Sequence, residues 1–366
     1  MKTFLLGILG LLVAAGLYLC FWPTKAEPVA WAPPEDAGYT GDFAINDRLA
    51  DIELISMNGD YGPEDIVAFG SGDEMMLYVS SHSGQIYRLD PRTLELVAIA
   101  DTGGVPLGME FDANDQLIVA DAHKGLLSIS LEGEVTVLTD TVNGTPIAYA
   151  DDLAIGPDGV IYFSDASTKY GAADFATPMA ASLYELIEHG RTGRMLAYDP
   201  TTKETRIIAD GYAFSNGVAI SPDGATLLFL ETGEYRVHAM DLASGELSVV
   251  LDNLPGFPDN INSGPPLEDG TPTYLLGLVS PRNAFMDDMA DKPFVRRMAL
   301  RLPSFMQPAA TLHSFVAQIT ADGRVIQTWQ DPEGRLMTTT GGIIPGDGYL
   351  YVSSVAATEL GRVPYP

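Results

Sequence analysis

Five polar residues in this chain have side chains suited to binding a hard cation, and each stands at the opening of a short apolar segment. They are Glu64, Asp151, Asn216, Asp259 and Asn260. Carboxylate and amide oxygens are the ligands that Ca²⁺ takes in proteins, whereas zinc and copper prefer nitrogen and sulfur. No Cys or His belongs to these openings, so calcium is the metal that this set of residues predicts.

A structural repeat explains how residues so distant in the chain can meet. Six apolar segments open with a small or polar pair, whose second residues are Asp65, Gly108, Asp152, Gly217, Asn260 and Gly341. The intervals between them are 43, 44, 65, 43 and 81 residues. A unit of this length matches a four-stranded propeller blade. The sequence therefore predicts an all-β fold, a six-bladed β-propeller.

The innermost strand of each blade lines the central channel of a propeller, so the six openings should converge on its axis. Three carboxylates brought together there would repel one another and favour protonation, which a divalent cation relieves. Any one of these polar residues could simply bond the backbone at a strand start, but five at repeat-defined positions favour a cation. The last blade is short, and we expect residues near Arg48–Ile55 to supply its outer strand and close the ring.

The composition excludes some classes of partner. The chain has 49 acidic and 20 basic residues, a net charge of −29. So negative a field argues against nucleic acid and against anionic membrane surfaces as partners. The single cysteine, Cys20, lies in the apolar N-terminal segment, so the globular part can form no disulfide of its own.

Residues 4–22 form an uncharged apolar run of 19 residues, preceded by Lys2 and followed by Pro23. A helix of about 20 apolar residues can cross the hydrocarbon core of a membrane. The run ends in bulky residues without a small-residue cleavage site, which favours an uncleaved signal-anchor over a removed signal peptide. With Lys2 on the inner side, we expect a single-pass protein whose propeller lies outside the cytoplasm.

The predicted organisation is a signal-anchor over residues 1–25, a Pro-rich spacer over 26–40 and the propeller over 41–366. Inserts near 170–190 and 280–310 lengthen the third and fifth repeat units. The second insert combines apolar residues at helical spacing with Arg296, Arg297 and Arg301. Its position beside Asp259 suits either a lid over the channel mouth or a contact with lipid.

Seven short motifs resemble those of strictosidine synthase-like proteins, with the closest likeness to their membrane-anchored, adipocyte plasma membrane-associated branch. These motifs are Gly62–Asp65, Val105–Gly108, Val119–Gly125, Tyr162–Ser167, Gly193–Pro200, Ser215–Asp223 and Pro255–Asn260. More distantly, the pattern is similar to paraoxonases and to the gluconolactonase and luciferin-regenerating group. The resemblance implies a propeller with calcium on its axis that hydrolyses esters or lactones.

The same resemblance implies that Glu64, Asn216, Asp259 and Asn260 are calcium ligands. At the third blade the family commonly has Asn-Asp-Leu, whereas this chain has Asp151-Asp152-Leu153. An aspartate at position 151 can still ligate the ion. Its extra negative charge should tighten calcium binding and weaken the ion as a Lewis acid. Catalysis therefore requires that the ion remain a sufficient Lewis acid with Asp151 beside it.

His123 is the candidate catalytic residue. It follows Asp121 by two residues at the end of a blade-two strand, where the resemblance to paraoxonase-like enzymes implies a His near the calcium. A neutral imidazole there could act as a general base. The alternative is a loop histidine bonded only to the backbone. His82, which follows the corresponding strand of blade one, is a second candidate for the channel mouth.

Two functions fit this sequence. The leading hypothesis is a hydrolase of small apolar esters or lactones with Ca²⁺ as its cofactor. The alternative is a non-catalytic binding propeller in which calcium is a structural pin, and Asp151 in place of Asn favours it. The condensation catalysed by strictosidine synthase itself is disfavoured, because its glutamate base cannot be placed in this sequence.

Overall fold

The computed structural model describes residues 1–365 of the chain. It contains six four-stranded antiparallel sheets, together with one two-stranded hairpin. Five of the sheets are formed by four consecutive strands, and the sixth combines the last three strands with the first. The sheets are the blades of a six-bladed β-propeller, which confirms the predicted fold. Period-two alternation of apolar residues and turns rich in Gly and Asp account for the many short strands.

The chain begins with the apolar helix α1 (Lys2–Phe21), none of whose residues is buried in the protein. It is long and apolar enough to cross a membrane. The segment after it leads to the first strand, β1 (Glu53–Ser56).

The first two blades follow with their strands ordered from the axis outward. Blade 1 consists of β2 (Ile66–Phe69), β3 (Met76–Ser80), β4 (Gln85–Leu89) and β5 (Leu96–Asp101). Blade 2 consists of β6 (Pro106–Phe111), β7 (Leu117–Asp121), β8 (Gly125–Ile129) and β9 (Val135–Thr139). A hairpin of β10 (Thr141–Val142) and β11 (Thr145–Pro146) leads to the third blade.

Blades 3 and 4 have the same layout. Blade 3 consists of β12 (Ala150–Ile155), β13 (Ile161–Asp165), β14 (Gly193–Asp199) and β15 (Glu204–Tyr212). Blade 4 consists of β16 (Ser215–Ile220), β17 (Thr226–Glu231), β18 (Arg236–Asp241) and β19 (Leu247–Leu251).

Blade 5 consists of β20 (Gly256–Gly264), β21 (Thr273–Pro281), β22 (Ser314–Thr320) and β23 (Val325–Asp331). Blade 6 consists of β24 (Thr339–Ile343), β25 (Tyr349–Ser354), β26 (Glu359–Pro364) and the N-terminal strand β1. β1 pairs antiparallel with β26, and Glu53 lies opposite Arg362 at a salt-bridge distance of 2.7 Å. The ring is therefore closed by the segment in which the sequence predicted the missing outer strand.

The apolar core lies between successive blades. Ile66, Leu77 and Val79 of blade 1 pack against Ile343 and Tyr351 of blade 6, and similar layers fill the spaces between other blades. Each blade therefore buries one face against the blade before it and the other face against the blade after it. This arrangement holds the six innermost strands at fixed positions around the axis.

Both predicted inserts contain helices at the end of the propeller where the innermost strands begin. Helix α2 (Pro178–Glu188) lies between β13 and β14, starts at the capping side chain of Thr177 and ends at His189 in the left-handed conformation. Helices α3 (Ala284–Asp288) and α4 (Pro293–Ala299) lie between β21 and β22. Five short 3₁₀ turns span Gly41–Phe43, Gly72–Glu74, Ala172–Asp174, Thr232–Glu234 and Ser304–Met306.

Candidate metal centre and active site

Four of the five candidate ligands lie in β-bulges at the start of the innermost strands, and the fifth, Glu64, lies just before β2. In blades 3, 4 and 5 the pairing of the innermost strand slips so that two residues oppose one. The bulged pairs are Asp151-Asp152, Asn216-Gly217 and Asp259-Asn260. A bulge redirects side chains that would otherwise alternate across the sheet, which is how both members of one pair can serve the axis.

Close packing of the innermost strands brings these bulges together. A side chain at position 217 would put a Cβ 2.6 Å from the carbonyl oxygen of Asp259, so glycine is required there. Asn216 donates from Nδ2 to Oδ1 of Asp259 at 2.5 Å. Across the axis, Asn260 donates from Nδ2 to Oε1 of Glu64 at 2.8 Å. We call Glu64, Asp151, Asn216, Asp259 and Asn260 the axial ring.

The three carboxylates of the axial ring disfavour one another's ionisation. Burial raises the pKa of Glu64 well above its usual range, and the charges of Asp259 and Asp151 raise it further. Burial and then the charge of Asp259 do the same to the pKa of Asp151. Burial raises the pKa of Asp259 to about 7, although its hydrogen bond from Asn216 opposes the shift. A positive charge at the ring would reverse this effect.

Three oxygens of the axial ring are buried without a hydrogen-bond donor among residues 1–365. They are Oε2 of Glu64, Oδ1 of Asn216 and Oδ1 of Asn260. Buried acceptors are rarely left without a partner in proteins. Among the described residues, no group of three or more His, Cys, Asp or Glu side chains is arranged to hold a metal ion. A metal at the ring would therefore need the amide oxygens of Asn216 and Asn260 in addition to carboxylates. Such an all-oxygen set fits calcium.

The second acidic residue of two openings has a different environment. Asp65 accepts from the backbone N–H of Met109 at 2.9 Å, and Asp152 accepts from that of Val218 at 2.7 Å. Asp152 also accepts from its neighbour Leu153 at 2.8 Å. We call Asp65 and Asp152 the inner pair. Their carboxylates hold adjacent blades together instead of lying with unpaired oxygens beside the ring.

The axial ring forms the floor of a cavity of about 390 Å³. Glu64, Asp151, Asn216 and Asp259 line the floor, while apolar side chains from the blades and from both inserts line the walls. The apolar wall residues include Leu107, Leu183, Leu186, Phe214, Phe257, Val279 and Met286. The site is therefore charged and polar at the ring and mostly apolar elsewhere, as in many small-molecule pockets.

The structure does not bring His123 to this cavity. His123 is exposed in the turn between β7 and β8, and its backbone N–H donates to Asp121 Oδ1 at 2.9 Å. Its side chain has no hydrogen-bond partner within residues 1–365. The pairings Ser80–Ile86 and Ala120–Leu126 make His82 of blade 1 equivalent to the buried Ala122 of blade 2. His123 is one residue beyond that position, and its side chain is exposed and does not line the cavity.

His82 is the histidine that lines the cavity. It is only 6% exposed, and its Nε2 atom has no hydrogen-bond partner among the described residues. Burial lowers the pKa of His82 to about 4, against a smaller opposing effect of Asp60. The imidazole is therefore neutral at physiological pH and able to accept a proton.

Comparison with known proteins places these features in a family. A model described as strictosidine synthase matches residues 151–243, and one described as strictosidine synthase-like, N-terminal, matches residues 41–89. Strictosidine synthase-like protein 6 of Arabidopsis thaliana is 32% identical over 329 residues, which cover 87% of this chain and 83% of that protein. This chain belongs to the strictosidine synthase-like family. The adipocyte plasma membrane-associated protein of Rattus norvegicus is 29% identical over 92% of both chains.

Solved structures share the fold of this strictosidine synthase-like protein at low sequence identity. A gluconolactonase from Xanthomonas campestris matches with a TM-score of 0.58 and 16% identity, covering 93% of this chain and 98% of its own. Regucalcin from Agrobacterium tumefaciens, described as a calcium-binding protein, matches with a TM-score of 0.54 and 12% identity over 83% and 93% of the two chains.

Tyr149 is a cavity residue that the sequence did not single out. This strictosidine synthase-like chain buries its ring edge-on against Phe214, with 5.3 Å between the ring centroids. Burial raises the pKa of the phenol well above its usual range, and the charges of Asp151, Asp259 and Glu64 add to the shift. The sequence could have predicted this position, because Tyr149 lies two residues before Asp151 and therefore close to the same strand opening.

Proposed function

We propose that this protein is a calcium-dependent hydrolase of small apolar esters or lactones. The observation that carries the proposal is an all-oxygen ring at the floor of a mostly apolar cavity, with two buried carboxylates, Glu64 and Asp151, and a half-buried third, Asp259. The lactonase-like fold supports this class of substrate, because one solved structure with the same fold is a gluconolactonase. The description of regucalcin as calcium-binding supports the choice of metal.

The axial ring supplies the groups that would hold the ion, namely Glu64, Asp151, Asn216, Asp259 and Asn260. Bound Ca²⁺ would supply Lewis acidity toward a substrate carbonyl. The carboxylates could then remain ionised despite their burial, and the unpaired oxygens of Glu64, Asn216 and Asn260 would have a partner.

The other cavity residues suit the remaining tasks of a hydrolase. The apolar walls would bind the hydrocarbon part of the substrate and exclude bulk water. Tyr149 keeps its proton at neutral pH and can donate a hydrogen bond. His82 can accept a proton from the attacking water and pass it to the departing alkoxide, giving an acid and an alcohol. We assign this role to His82 because a general base must reach the substrate, which His123 does not.

A calcium-pinned binding propeller without catalysis is the second candidate function. Asp151 favours it, because a third carboxylate in the ring would neutralise more of the ion's charge and weaken its pull on a carbonyl. In that case the apolar cavity would bind a ligand without changing it. Binding of apolar esters that are recovered intact would distinguish this function from hydrolysis.

We also propose that α1 anchors the protein as a single-pass segment, with the propeller outside the cytoplasm. Its length and apolar character support the anchor, and so does the name of the rat relative, which is plasma membrane-associated. Lys2 at the start of the helix supports the orientation. Retention in membranes after high-salt and alkaline washing, with protease access to the propeller from outside, is the expected result.

The deciding experiment is a panel of aryl esters and lactones tested on the detergent-solubilised full-length protein. Hydrolysis should disappear with a calcium chelator and return when calcium is added. A folded, calcium-bound protein that hydrolyses no member of the panel would favour the binding propeller instead.

A further inference from the structure

The segment predicted as a spacer lies packed along the propeller. Ala26 is fully buried among Ile187, Met286 and Leu300 of the two inserts. The backbone N–H of Trp31 donates to the carbonyl oxygen of Ala290 at 3.2 Å. The chain after α1 is therefore packed against the inserts and does not form a free linker.

Two buried arginines strengthen this attachment. The Arg296 guanidinium is inaccessible to solvent and donates to the carbonyl oxygens of Val29, Ile187 and Ala290, joining the segment to both inserts. Arg282 donates to the carbonyl oxygen of Pro34 at 2.7 Å. The acceptors of these bonds in the segment are main-chain carbonyl oxygens, so the two arginine side chains fix the path of its backbone.

Arg301 fixes the end of α1 itself. It donates from Nη1 to the carbonyl oxygen of Leu19 at 2.5 Å and from Nε to that of Trp22 at 2.7 Å. The last carbonyls of a helix lack partners within the helix, so they are open to such capping. The exit point of α1 is therefore tied to the second insert.

The same insert continues from Arg301 into the rim of the cavity. Ser304, Gln307, Pro308, Ala309 and Ala310 line the cavity. Between them, Phe305 is 85% exposed and Met306 is 55% exposed. Phe294 and Leu312 of the same insert are 54% and 50% exposed. We call these four exposed apolar residues the rim patch.

The charge around the rim patch differs from the rest of the chain. From Lys292 to Leu312 there are four basic residues and no acidic one, although acidic residues outnumber basic ones by 49 to 20 in the whole chain. Arg296 and Arg301 are buried against backbone carbonyl oxygens, so the exposed Lys292 and the half-buried Arg297 are the basic neighbours available to the patch. Exposed aromatic and apolar side chains with basic neighbours are typical of segments that lie in the membrane interface.

We propose that the rim patch rests in the surface of the phospholipid bilayer that α1 spans, so that the cavity mouth opens against lipid. This inference rests on the proposed membrane anchor, because the helix ends where a membrane helix would reach the interface. Phe305 follows Arg301 by four positions in the chain, and an extended chain of that length reaches at most about 14 Å. An apolar ester dissolved in the membrane would thus meet the cavity without crossing water.

The test uses depth-dependent quenching in vesicles of zwitterionic phosphatidylcholine. Full-length protein carrying Cys20→Ser receives one new cysteine for an environment-sensitive fluorophore, at Phe305, at Leu11 in α1 or at Val137. Val137 is the matched control, since it is an apolar residue 52% exposed on the outer strand of blade 2. Lipids that carry a quencher near the headgroup or deep in the acyl chains report the depth of each label.

The proposal expects shallow-quencher lipids to dim the Phe305 label about twofold or more, with a blue-shifted emission, while the Val137 label stays unchanged. The Leu11 label should respond to the deep quencher. If Leu11 responds and Phe305 does not, the rim patch does not touch lipid, and the anchor survives without it. If Leu11 does not respond, the anchor itself is wrong and the docking proposal falls with it. Neither result depends on hydrolytic activity.

Discussion

The axial ring and the inner pair place acidic residues side by side in the sequence but in opposite circumstances. Glu64 and Asp151 belong to the ring, and the residues after them, Asp65 and Asp152, form the inner pair. Burial raises the pKa of Asp65 to about 6 and the pKa of Asp152 well above its usual range, much as in the ring. The pKa shift therefore does not separate the two sets.

The hydrogen-bond partners separate them. Asp152 accepts two backbone N–H groups, and Asp65 accepts one backbone N–H and the amide of Asn262 at 3.2 Å. Glu64 keeps one buried oxygen without a donor among the described residues, and its other oxygen accepts from Asn260. Carboxylates that already have donors serve the fold, whereas those left with unpaired oxygens are suited to a cation.

The largest effect should come from removing one charge from the axial ring. Glu64→Gln keeps the shape of the side chain but loses a charged ligand, so we expect calcium affinity to fall about 100-fold or more. Hydrolysis should be lost with it at micromolar calcium. Calorimetric calcium titration and initial rates on an aryl ester measure the two effects, and the exposed Glu132→Gln is the control. Undiminished calcium binding by Glu64→Gln would remove this residue from the site.

The next prediction compares His82, which lines the cavity, with His123, which does not. His82→Gln should lower the maximal rate about 100-fold, the usual size of general-base assistance, and leave calcium affinity nearly unchanged. His123→Gln should keep the wild-type rate, because its exposed side chain lies outside the cavity. Rates at saturating calcium for both variants provide the measurement. The opposite ranking would return the role to His123.

Substitutions in the inner pair should affect folding instead of metal binding. Asp152→Asn replaces one acceptor oxygen by an N–H₂ group that faces backbone donors, at a cost of about 3 kcal/mol in the free energy of unfolding, with or without calcium. Asp151→Asn is the matched variant one residue earlier. In chelator it should leave stability unchanged or raise it, because it relieves repulsion in the ring. Urea unfolding in chelator compares them, and equal losses would contradict the distinction.

Much of this arrangement could be predicted from the sequence because the blade repeat fixes where each opening lies. The spacing of the pairs at Asp65, Asp152 and Asn260 was enough to place the axis, and the closing strand followed from the short last blade. What the repeat could not give is the set of hydrogen-bond partners of each carboxylate. The donors to Asp65 and Asp152 are backbone N–H groups of the next blade, at Met109 and Val218, and the folded structure is needed to see them.

The sequence also pointed to a different histidine from the one that lines the cavity. His82 and His123 both follow the second strand of a blade. The resemblance to paraoxonase-like enzymes favoured His123, and His82 was the second candidate. The strand pairings offset them by one residue, so that the residue of blade 2 equivalent to His82 is the buried Ala122, while His123 follows it in the turn and is exposed. Aligning Ser80 with Ala120 in the sequence would have revealed the offset.

The smallest effect should appear at the opposite end of the channel, where Glu110 lines a second cavity of about 220 Å³ with mostly apolar walls. Burial raises the pKa of Glu110 to about 7, partly offset by its hydrogen bond from the backbone N–H of Ile155. The unfolded chain releases this proton near pH 4.3. The contribution of Glu110 to stability is therefore greatest below that pH and is lost as the pH rises through 7.

Glu110→Gln should remove this pH dependence, because glutamine keeps an oxygen for Ile155 and has no proton to lose. Between pH 5 and 7, the wild-type free energy of unfolding should fall by about 2 kcal/mol or less relative to the variant. Urea unfolding of both proteins at saturating calcium measures the difference, in which titration of groups common to both cancels. Parallel stability curves would mean that Glu110 is ionised throughout this range. The Glu110 carboxylate, at the end of the channel far from the axial ring, would then also need a positively charged partner.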